Sequence, residues 1–319
     1  MKAFLLHQLG ADPGTDVIDL CLDHALIRGQ QAHKFTHIAG LDLFPNLETL
    51  SISMQEIGKA EGMEGLHALR DLNLSLNHIS EVSGLAGLPL EKLDLSHNEI
   101  LSLKGLPVLP VLQELNLGHN QLREMWEGPQ LPVLRTLTLS GNRQIKAIRN
   151  LGTLPALRAL YLKGCYISQW EGLSAAQQLE MLSISPGSMQ GLQILQELPR
   201  LKSLIISAKR LHGTATLPPH SGLKSLQIIG GQALETLQGL QALPALETLI
   251  LRQNRLKSAP NLSQCVRIRH LDLSYNPLSA LPDLSQLSQL ETLILDGSPI
   301  HPKAILDVQA AFPKVDIRF

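Results

Sequence analysis

Two histidines are the side chains in this sequence best suited to chemistry. His97 and His119 are 22 residues apart, in the segments Ser-His-Asn and Gly-His-Asn. Together with Asp94 and Glu114 they supply the imidazole and carboxylate groups that zinc or nickel can bind. The same tripeptides are also ordinary turn sequences, and we favour that interpretation. We therefore predict no metal site.

No familiar catalytic motif accompanies these histidines. The sequence lacks the glycine-rich loops that bind phosphates or dinucleotides, the Gly-x-Ser-x-Gly nucleophile motif and the His-Glu-x-x-His zinc motif. Its three cysteines, Cys21, Cys165 and Cys265, are far apart and form no Cys-x-x-Cys pair. We predict no catalytic residue and no cofactor, and we expect a protein that is not an enzyme.

A leucine pattern that returns about every 22 residues occupies most of the chain. It reads L-x-x-L-x-L-x-x-N-x-L, as in residues 90–100 and 112–122. The alternation Leu93-Asp94-Leu95 predicts a short strand with one buried face, and a period of this size predicts a solenoid. We call the first leucine or isoleucine of each repeat its anchor. The twelve anchors are Leu47, Leu69, Leu90, Leu112, Leu134, Leu157, Leu179, Leu201, Leu223, Leu246, Ile268 and Leu290.

This pattern resembles the leucine-rich repeat family, in its 22-residue class. It is similar to the internalin repeat domains of bacterial pathogens and to the leucine-rich regulatory subunit of type-1 protein phosphatase. The resemblance covers about residues 33–319. It implies an α/β fold, a right-handed leucine-rich repeat solenoid. A curved parallel sheet would form the concave face, and 3-10 or short helical segments would form the convex face.

The ends of such a solenoid need lids, because a terminal repeat otherwise exposes its apolar face. We predict an N-terminal cap over residues 1–46, with a helix that Thr15 caps and that runs through Leu20. A degenerate first repeat anchored at Leu22 would follow it. Twelve repeats of 21 to 23 residues would then occupy residues 47–300.

The C-terminal cap is predicted over residues 301–319. Its apolar spacing indicates an amphipathic helix from Pro302 to Phe312 with one inward face, carrying Ile305, Val308 and Phe312. A strand over Val315–Phe319 would then cover the last edge of the sheet.

The ninth position is asparagine in six of the twelve repeats. Its side-chain amide can bond backbone groups in adjacent turns, so these residues should form an asparagine ladder. Cys165 is an accepted substitute in the family and should be buried, whereas Gly187, Lys209 and Gly231 interrupt the ladder in three consecutive repeats. Two explanations stay open. Water or backbone groups could fill the gaps, or a local change of curvature could shape a binding surface.

The outward strand positions change character along the chain. They are small and polar in the first half, and Asp71, Asp94 and Glu114 make that half mildly acidic. Apolar side chains at the later positions indicate either crowding in a curved sheet or a protein-binding patch with an aromatic anchor. The residues predicted to bind a partner protein are Tyr161, Met181, Ile205, Gln227, Ile229, Ile250, Arg252 and Asp94.

Two further features could contribute to a contact surface. Trp170 aligns with an inward position, but Trp126 falls one step further, where exposure would give the convex face a second contact surface. A group of basic residues near the apolar positions could be a solvated rim or part of the interface. Its members are Arg135, Arg143, Lys146, Arg149, Arg158, Lys163, Lys202 and Lys224.

Composition and charge narrow the function. The chain is 44% hydrophobic with a net charge of −1, which gives no general electrostatic attraction to nucleic acid or anionic membranes. Its first apolar run is too short for a signal-peptide core. We predict a cytoplasmic, non-enzymatic scaffold that binds another protein on its concave face, with no nucleic-acid or membrane partner. The alternatives are a regulatory subunit of an enzyme such as a protein phosphatase, or a bacterial effector that acts on a host protein after signal-less secretion.

Overall fold

The computed structural model describes residues 17–23 and 34–319. Fourteen strands form a parallel sheet, and most strands begin two residues after an anchor. A central leucine points into the core, and its two neighbours point to the opposite side, which we call the outward face. The sheet strands are β1 (Asp19–Cys21), β2 (Thr49–Ser51), β3 (Asp71–Asn73), β4 (Lys92–Asp94), β5 (Glu114–Asn116), β6 (Thr136–Thr138), β7 (Ala159–Tyr161), β8 (Met181–Ile184), β9 (Ser203–Ser207), β11 (Ser225–Ile229), β13 (Thr248–Ile250), β14 (His270–Asp272), β15 (Thr292–Ile294) and β16 (Asp316–Arg318).

The segments that return from one strand to the next are mostly irregular or 3-10 helical. Short 3-10 pieces suit these segments because the apolar residues there recur about every third position. The predicted fold class, a leucine-rich solenoid with a parallel sheet, is confirmed. The 3-10 helices are Leu41–Leu43, Ser83–Leu85, Leu151–Thr153, Glu171–Ala175, Leu192–Glu197 and Leu240–Ala242, and the helix α1 is Pro302–Ala311.

The chain divides into two compact units, residues 1–160 and residues 161–319. In the first unit β1 to β6 pair in chain order and in register, so that Leu50, Leu72 and Leu93 lie opposite one another. In the second unit the register continues in the same way from β8 to β16. All twelve predicted anchors are buried. Each fully buried leucine contributes about 1.5–3 kcal/mol, so stacking is the main source of stability.

The second unit contains a two-stranded sheet that the repeat pattern did not predict. Its strands are β10 (His212–Thr216) and β12 (Ala233–Gln238), which pair in parallel with a register shift between Gly213 and Thr214. They occupy two consecutive return segments, where other repeats have irregular or 3-10 backbone.

A repeat does precede the one anchored at Leu47, but its predicted anchor and the predicted helix are wrong where the structure can test them. Asp19–Cys21 is strand β1 and not the end of a helix through Leu20; Thr15 lies outside the described residues. Leu20 lies opposite Leu50, which is three residues after its anchor. The anchor position of this first repeat is therefore Val17 and not Leu22.

The C-terminal segments follow the prediction closely. Helix α1 ends at Ala311, one residue before the predicted Phe312, and β16 pairs with β15. The side chains predicted to point inward, Ile305, Val308 and Phe312, are half-buried.

The two tryptophans are both part of the core. Trp170 is buried as predicted, whereas the suggestion that Trp126 is exposed is wrong, because only 1% of its surface is accessible. Its indole Nε1 donates a hydrogen bond to the carbonyl oxygen of Pro129 at 3.3 Å, and Gly128 packs against its ring. Trp126 therefore offers no second contact surface.

Candidate functional site

The asparagine ladder fixes the turn that follows each strand. Asn98 donates from Nδ2 to the carbonyl oxygens of Leu74 and Leu95 at 2.9 and 3.1 Å, and its Oδ1 accepts from the Ile79 amide at 2.9 Å. One side chain thus satisfies buried backbone groups in two successive repeats, which are costly to leave unpaired. The same three-bond pattern occurs at Asn77, Asn120, Asn142 and Asn276.

Longer strands replace the ladder where asparagine is missing. Strands β9 and β11 have five residues each, and their pairing extends to Ile206 opposite Ile228 and Ser207 opposite Ile229. Backbone pairing between neighbouring strands therefore fills the gap, which was one of the two explanations left open. The longer strands also add one outward position each, occupied by Ser207 and Ile229.

At Gly231 the asparagine ladder resumes after the repeats in which longer strands replace it. The Gly231 amide donates to Asn254 Oδ1 at 2.8 Å, while Asn254 Nδ2 reaches the Ile228 carbonyl at 2.8 Å. A Cβ at position 231 would overlap Asn254 Oδ1 and lie 2.9 Å from the Leu234 Cβ. Glycine is required here because the side chain of the next repeat occupies the space.

The longer strands carry three of the residues that were predicted to bind a partner, Ile205, Gln227 and Ile229. Ile205, Gln227 and Ile250 lie directly opposite one another on β9, β11 and β13. Adjacent strands are about 4.8 Å apart, so these side chains form one continuous row. All of the predicted apolar residues are half-buried. We call the group of predicted residues in the second unit the sheet patch: Tyr161, Met181, Ile205, Gln227, Ile229, Ile250 and Arg252.

Two polar contacts hold the margins of the sheet patch. The Tyr161 hydroxyl donates to Met181 Sδ at 2.8 Å. The Arg252 guanidinium lies 5.3 Å from the centre of the exposed Tyr275 ring, a cation–π geometry. Tyr161 and Arg252 are therefore oriented before any partner arrives. Tyr275, which the sequence analysis did not select, extends the patch on this side.

Asp94 has a different environment from the rest of the predicted set. It belongs to the first unit, and its Oδ1 accepts from the Ser96 amide and hydroxyl at 2.8 and 2.6 Å. Its Oδ2 accepts from Asn116 Nδ2 at 2.9 Å. Both oxygens are thus used inside the sheet, where they hold the turn after β4 and join it to β5.

A shallow acidic depression surrounds Asp94 on the outward face. Its lining includes Asp71, Lys92 and Glu114, which occupy equivalent positions on β3, β4 and β5. Burial raises the pKa of Asp71, the charge of Lys92 opposes that rise, and the carboxylates of Glu114 and Asp94 add to it. Because Lys92 Nζ lies 3.4 Å from Glu114, the depression is only partly acidic.

The basic residues near the sheet patch are partly neutralised. Lys202 pairs with Glu180 at 2.7 Å, and Lys224 pairs with Glu247 at 2.9 Å. Hydrogen bonding and charge from Lys224 lower the pKa of Glu247, which keeps that carboxylate ionised. Such pairs link adjacent repeats and reduce the positive field that a nucleic acid would meet.

The two histidines lie together as the spacing predicts. The rings of His97 and His119 stack with their centroids 4.3 Å apart and their planes 8° apart. Both residues have a left-handed backbone, with φ of 55°, and the ring of His119 covers Gly141. Within residues 17–23 and 34–319, no group of three or more His, Cys, Asp or Glu side chains is placed to hold a metal ion.

This stack makes stability depend on pH. Burial, His97 and Arg143 lower the pKa of His119, so the unfolded chain takes up a proton at a higher pH than the folded chain. Stability should be fully present above the unfolded value of about 6.5 and decline as the pH falls through it. We expect His119→Phe, which keeps the stacking, to show a smaller fall in urea midpoint between pH 7.5 and 5.5. An equal fall in urea midpoint for the wild-type protein and for His119→Phe would contradict the assignment of this pH dependence to His119.

Comparison with known proteins agrees with this geometry. The family described as "Leucine Rich repeats (2 copies)" matches residues 244–286, and "Leucine Rich repeat" matches residues 89–106. The chain is a leucine-rich repeat protein. Proteins of this kind are generally binding scaffolds and not enzymes. Among curated proteins, none matches the sequence.

Solved structures similar to this leucine-rich repeat protein include one bound to RNA. A chain of the TLR13–ssRNA13 complex has 29% identity and a TM-score of 0.66, with 83% of this chain and 41% of that chain covered. This protein therefore spans about two fifths of the length of the TLR13 chain. An internalin from Listeria monocytogenes has 19% identity and a TM-score of 0.56 over 85% of this chain and 86% of its own. A leucine-rich repeat protein from Leptospira interrogans has 20% identity and a TM-score of 0.56 over 99% and 98%.

The likeness to the internalin and the Leptospira protein, at this low identity, concerns the fold alone. Among the residues that the structure describes, no helix has the length and apolar character that a bilayer span requires.

Proposed function

We propose that this leucine-rich repeat protein is a non-enzymatic scaffold that binds another protein through the sheet patch. The observation that carries the proposal is the continuous row of Ile205, Gln227 and Ile250 on the outward face of β9, β11 and β13. Contact of an isoleucine side chain with water is unfavourable. A partner that covered the row would bury the apolar surface that is still exposed there. Tyr161 and Arg252 at the margins are residue types that often dominate binding energy.

The geometry favours a protein over an RNA ligand. The TLR13 complex contains single-stranded RNA, but Lys202 and Lys224 of this chain are already paired with glutamates. RNA binding without sequence preference depends on a positive groove and stacked aromatic side chains. The sheet patch has isoleucines at the corresponding centre. We expect no change in the anisotropy of a fluorescent single-stranded RNA at physiological salt; saturable binding would favour the RNA alternative.

The partner can be found by crosslinking from the centre of the patch. A photoreactive amino acid at position 227 should capture a protein in extracts of the native cell, whereas the same group at Thr138, on the outward face of β6, should not. Mass spectrometry would identify the captured protein. A phosphatase would favour the regulatory-subunit alternative, and a host protein would favour the effector alternative.

We expect Ile205→Glu combined with Ile250→Glu to weaken binding of the purified partner about 100-fold or more, because two charges would be buried in the interface. Both side chains point outward, so the melting temperature should change little. Isothermal titration calorimetry measures the affinity. The matched control is Thr136→Glu with Thr138→Glu, which adds the same charge to the outward face of β6 and should bind normally. Unchanged affinity of the folded Ile205 and Ile250 variant would refute the proposed surface.

We also propose that the protein acts in a reducing, cytoplasmic compartment. No disulfide joins the cysteines of the described residues, and burial raises the pKa of Cys265 to about 11. A neutral thiol of this kind is a poor nucleophile and oxidises slowly. Fractionation of the producing cell should recover the protein in the cytosol. Recovery in the culture medium without cleavage would support signal-less secretion instead.

A further inference from the structure

The outer edge of β16 carries hydrogen-bonding groups that no other described residue uses. The Asp316 amide donates to the Glu291 carbonyl at 2.9 Å, and the Arg318 carbonyl accepts from the Leu295 amide at 2.7 Å. In a strand, the N–H and C=O of one residue point to the same side. Asp316 and Arg318 therefore face β15, and Ile317 must direct both of its backbone groups away from the sheet.

The neighbouring residues extend this open edge. The Val315 amide is used within the chain by the Phe312 carbonyl at 3.1 Å, but its carbonyl group points to the same side as those of Ile317. The amide of Phe319 points there as well. The side chains of Asp316, Arg318 and Phe319 are 53%, 61% and 64% exposed, so the described residues leave this edge uncovered.

We propose that this edge binds the same edge of a second copy of the chain. The two β16 strands would run antiparallel about a two-fold axis at Ile317, which joins the sheets of two molecules. Each Ile317 would donate to and accept from the Ile317 of the second copy. Each Phe319 amide would donate to the Val315 carbonyl of the second copy. Four backbone hydrogen bonds thus satisfy the outward Val315 carbonyl, both outward groups of Ile317 and the Phe319 amide.

Side-chain charge makes this pairing self-complementary. In the antiparallel register Asp316 lies directly opposite Arg318 of the second copy, and Arg318 lies opposite its Asp316. Within one chain Arg318 Nη2 already donates to Asp316 Oδ2 at 2.7 Å, so both groups point to the same face. Opposite charges on facing strands stabilise a sheet, and like charges destabilise it. A parallel pairing in register would instead bring identical charges together.

The apolar residues fit the same register. Side chains alternate along a strand, so Val315, Ile317 and Phe319 lie on the face opposite Asp316 and Arg318. Pairing would bring Ile317 next to Ile317 of the second copy and Phe319 next to its Val315. The exposed Phe319 ring would lose water contact on association. An isologous interface must be self-complementary, and the polar pairs on one face and the apolar pairs on the other both meet this condition.

Sedimentation velocity of the full chain over a range of concentrations tests the proposal. The wild-type protein should shift from monomer to dimer as its concentration rises. Arg318→Asp places two aspartates opposite two others and should weaken dimerisation about tenfold or more. The swapped protein, Asp316→Arg with Arg318→Asp, restores opposite pairs and should regain the dimer. A wild-type monomer at about 100 µM, or a dimer that all variants leave unchanged, would overturn the proposal.

Two further variants separate this interface from general effects. Arg123→Asp makes the same charge reversal at an exposed site in the first unit and should dimerise normally. Ile317→Pro removes only an amide that points outward, so β15 keeps its hydrogen bonds to β16 while the dimer is lost. Circular dichroism should show a folded protein in each case. Dimerisation of a folded Ile317→Pro variant with wild-type affinity would also refute this pairing.

Discussion

Replacing Asn120 with alanine should lower the free energy of unfolding by about 3–5 kcal/mol. The Asn120 side chain donates to the carbonyl oxygens of Leu95 and Leu117 and accepts from the Ile100 amide. All three are buried backbone groups, and an alanine side chain can form none of these hydrogen bonds. The deletion affects two adjacent repeats at once, so stacking between them weakens as well.

A urea titration followed by far-UV circular dichroism measures this effect. Lys209→Ala is the matched control, because Lys209 occupies the ninth position of a repeat in which strand pairing replaces the ladder. Its side chain is exposed, and we expect a change below about 0.5 kcal/mol. If the two variants lose similar stability, the ladder does not have the energetic role assigned to it.

The second large effect is expected for Gly84→Ala. A Cβ at this position would overlap the carbonyl oxygen of Ala60 and lie 2.7 Å from the Cα of Glu61. Both contacts are with backbone atoms, which cannot rotate away as a flexible side chain could. The return segments of the repeats anchored at Leu47 and Leu69 would have to separate. We expect a loss of about 3 kcal/mol or more.

Gly105 provides a close control for this substitution. Gly84 and Gly105 are each 15 residues after the anchor of their repeat, Leu69 and Leu90. At Gly105 the nearest atom to an added Cβ is the Ser83 Cβ at 3.9 Å, an ordinary van der Waals contact. Gly105→Ala should therefore unfold at nearly the wild-type urea concentration. An equally large loss in both variants would show that crowding at Gly84 is not the cause.

The leucine spacing was sufficient to locate the sheet. Each anchor begins a segment in which buried and outward residues alternate, and this local pattern is enough to specify a strand. The same periodicity placed His97 beside His119, because equal positions in adjacent repeats must lie one strand apart. It also selected Ile205 and Ile250 as outward residues. Their partial burial agrees with the crowding that was one of the two explanations left open; the pattern alone could not decide it, because burial depends on the size of the side chains on both neighbouring strands.

The errors arose where the repeat pattern weakens. The N-terminal segment has too few leucines to fix its register, and a helix-capping signal at Thr15 misled the assignment of Leu20. Trp126 was judged by its distance from the expected inward position, but the chain folds over its ring at Gly128 and Pro129. Strands β10 and β12 were missed because their pairing is between two return segments, each of which alone carries no clear strand signal.

The two ways of satisfying buried backbone groups have a consequence for exchanging modules in this molecule. A segment such as residues 90–111 contains a turn, between Leu95 and Ile100, that relies on the side-chain amide of Asn120 in the following repeat. In place of residues 201–222, this segment would be followed by Gly231, which has no side-chain amide, and the buried backbone groups of its turn would lack partners. We therefore expect a duplicated or exchanged repeat to fold when its neighbours satisfy their turns in the same way, by the asparagine ladder or by longer strands. An exchange across Gly231, where one way gives place to the other, should not fold. Natural lengthening of this chain would be subject to the same constraint.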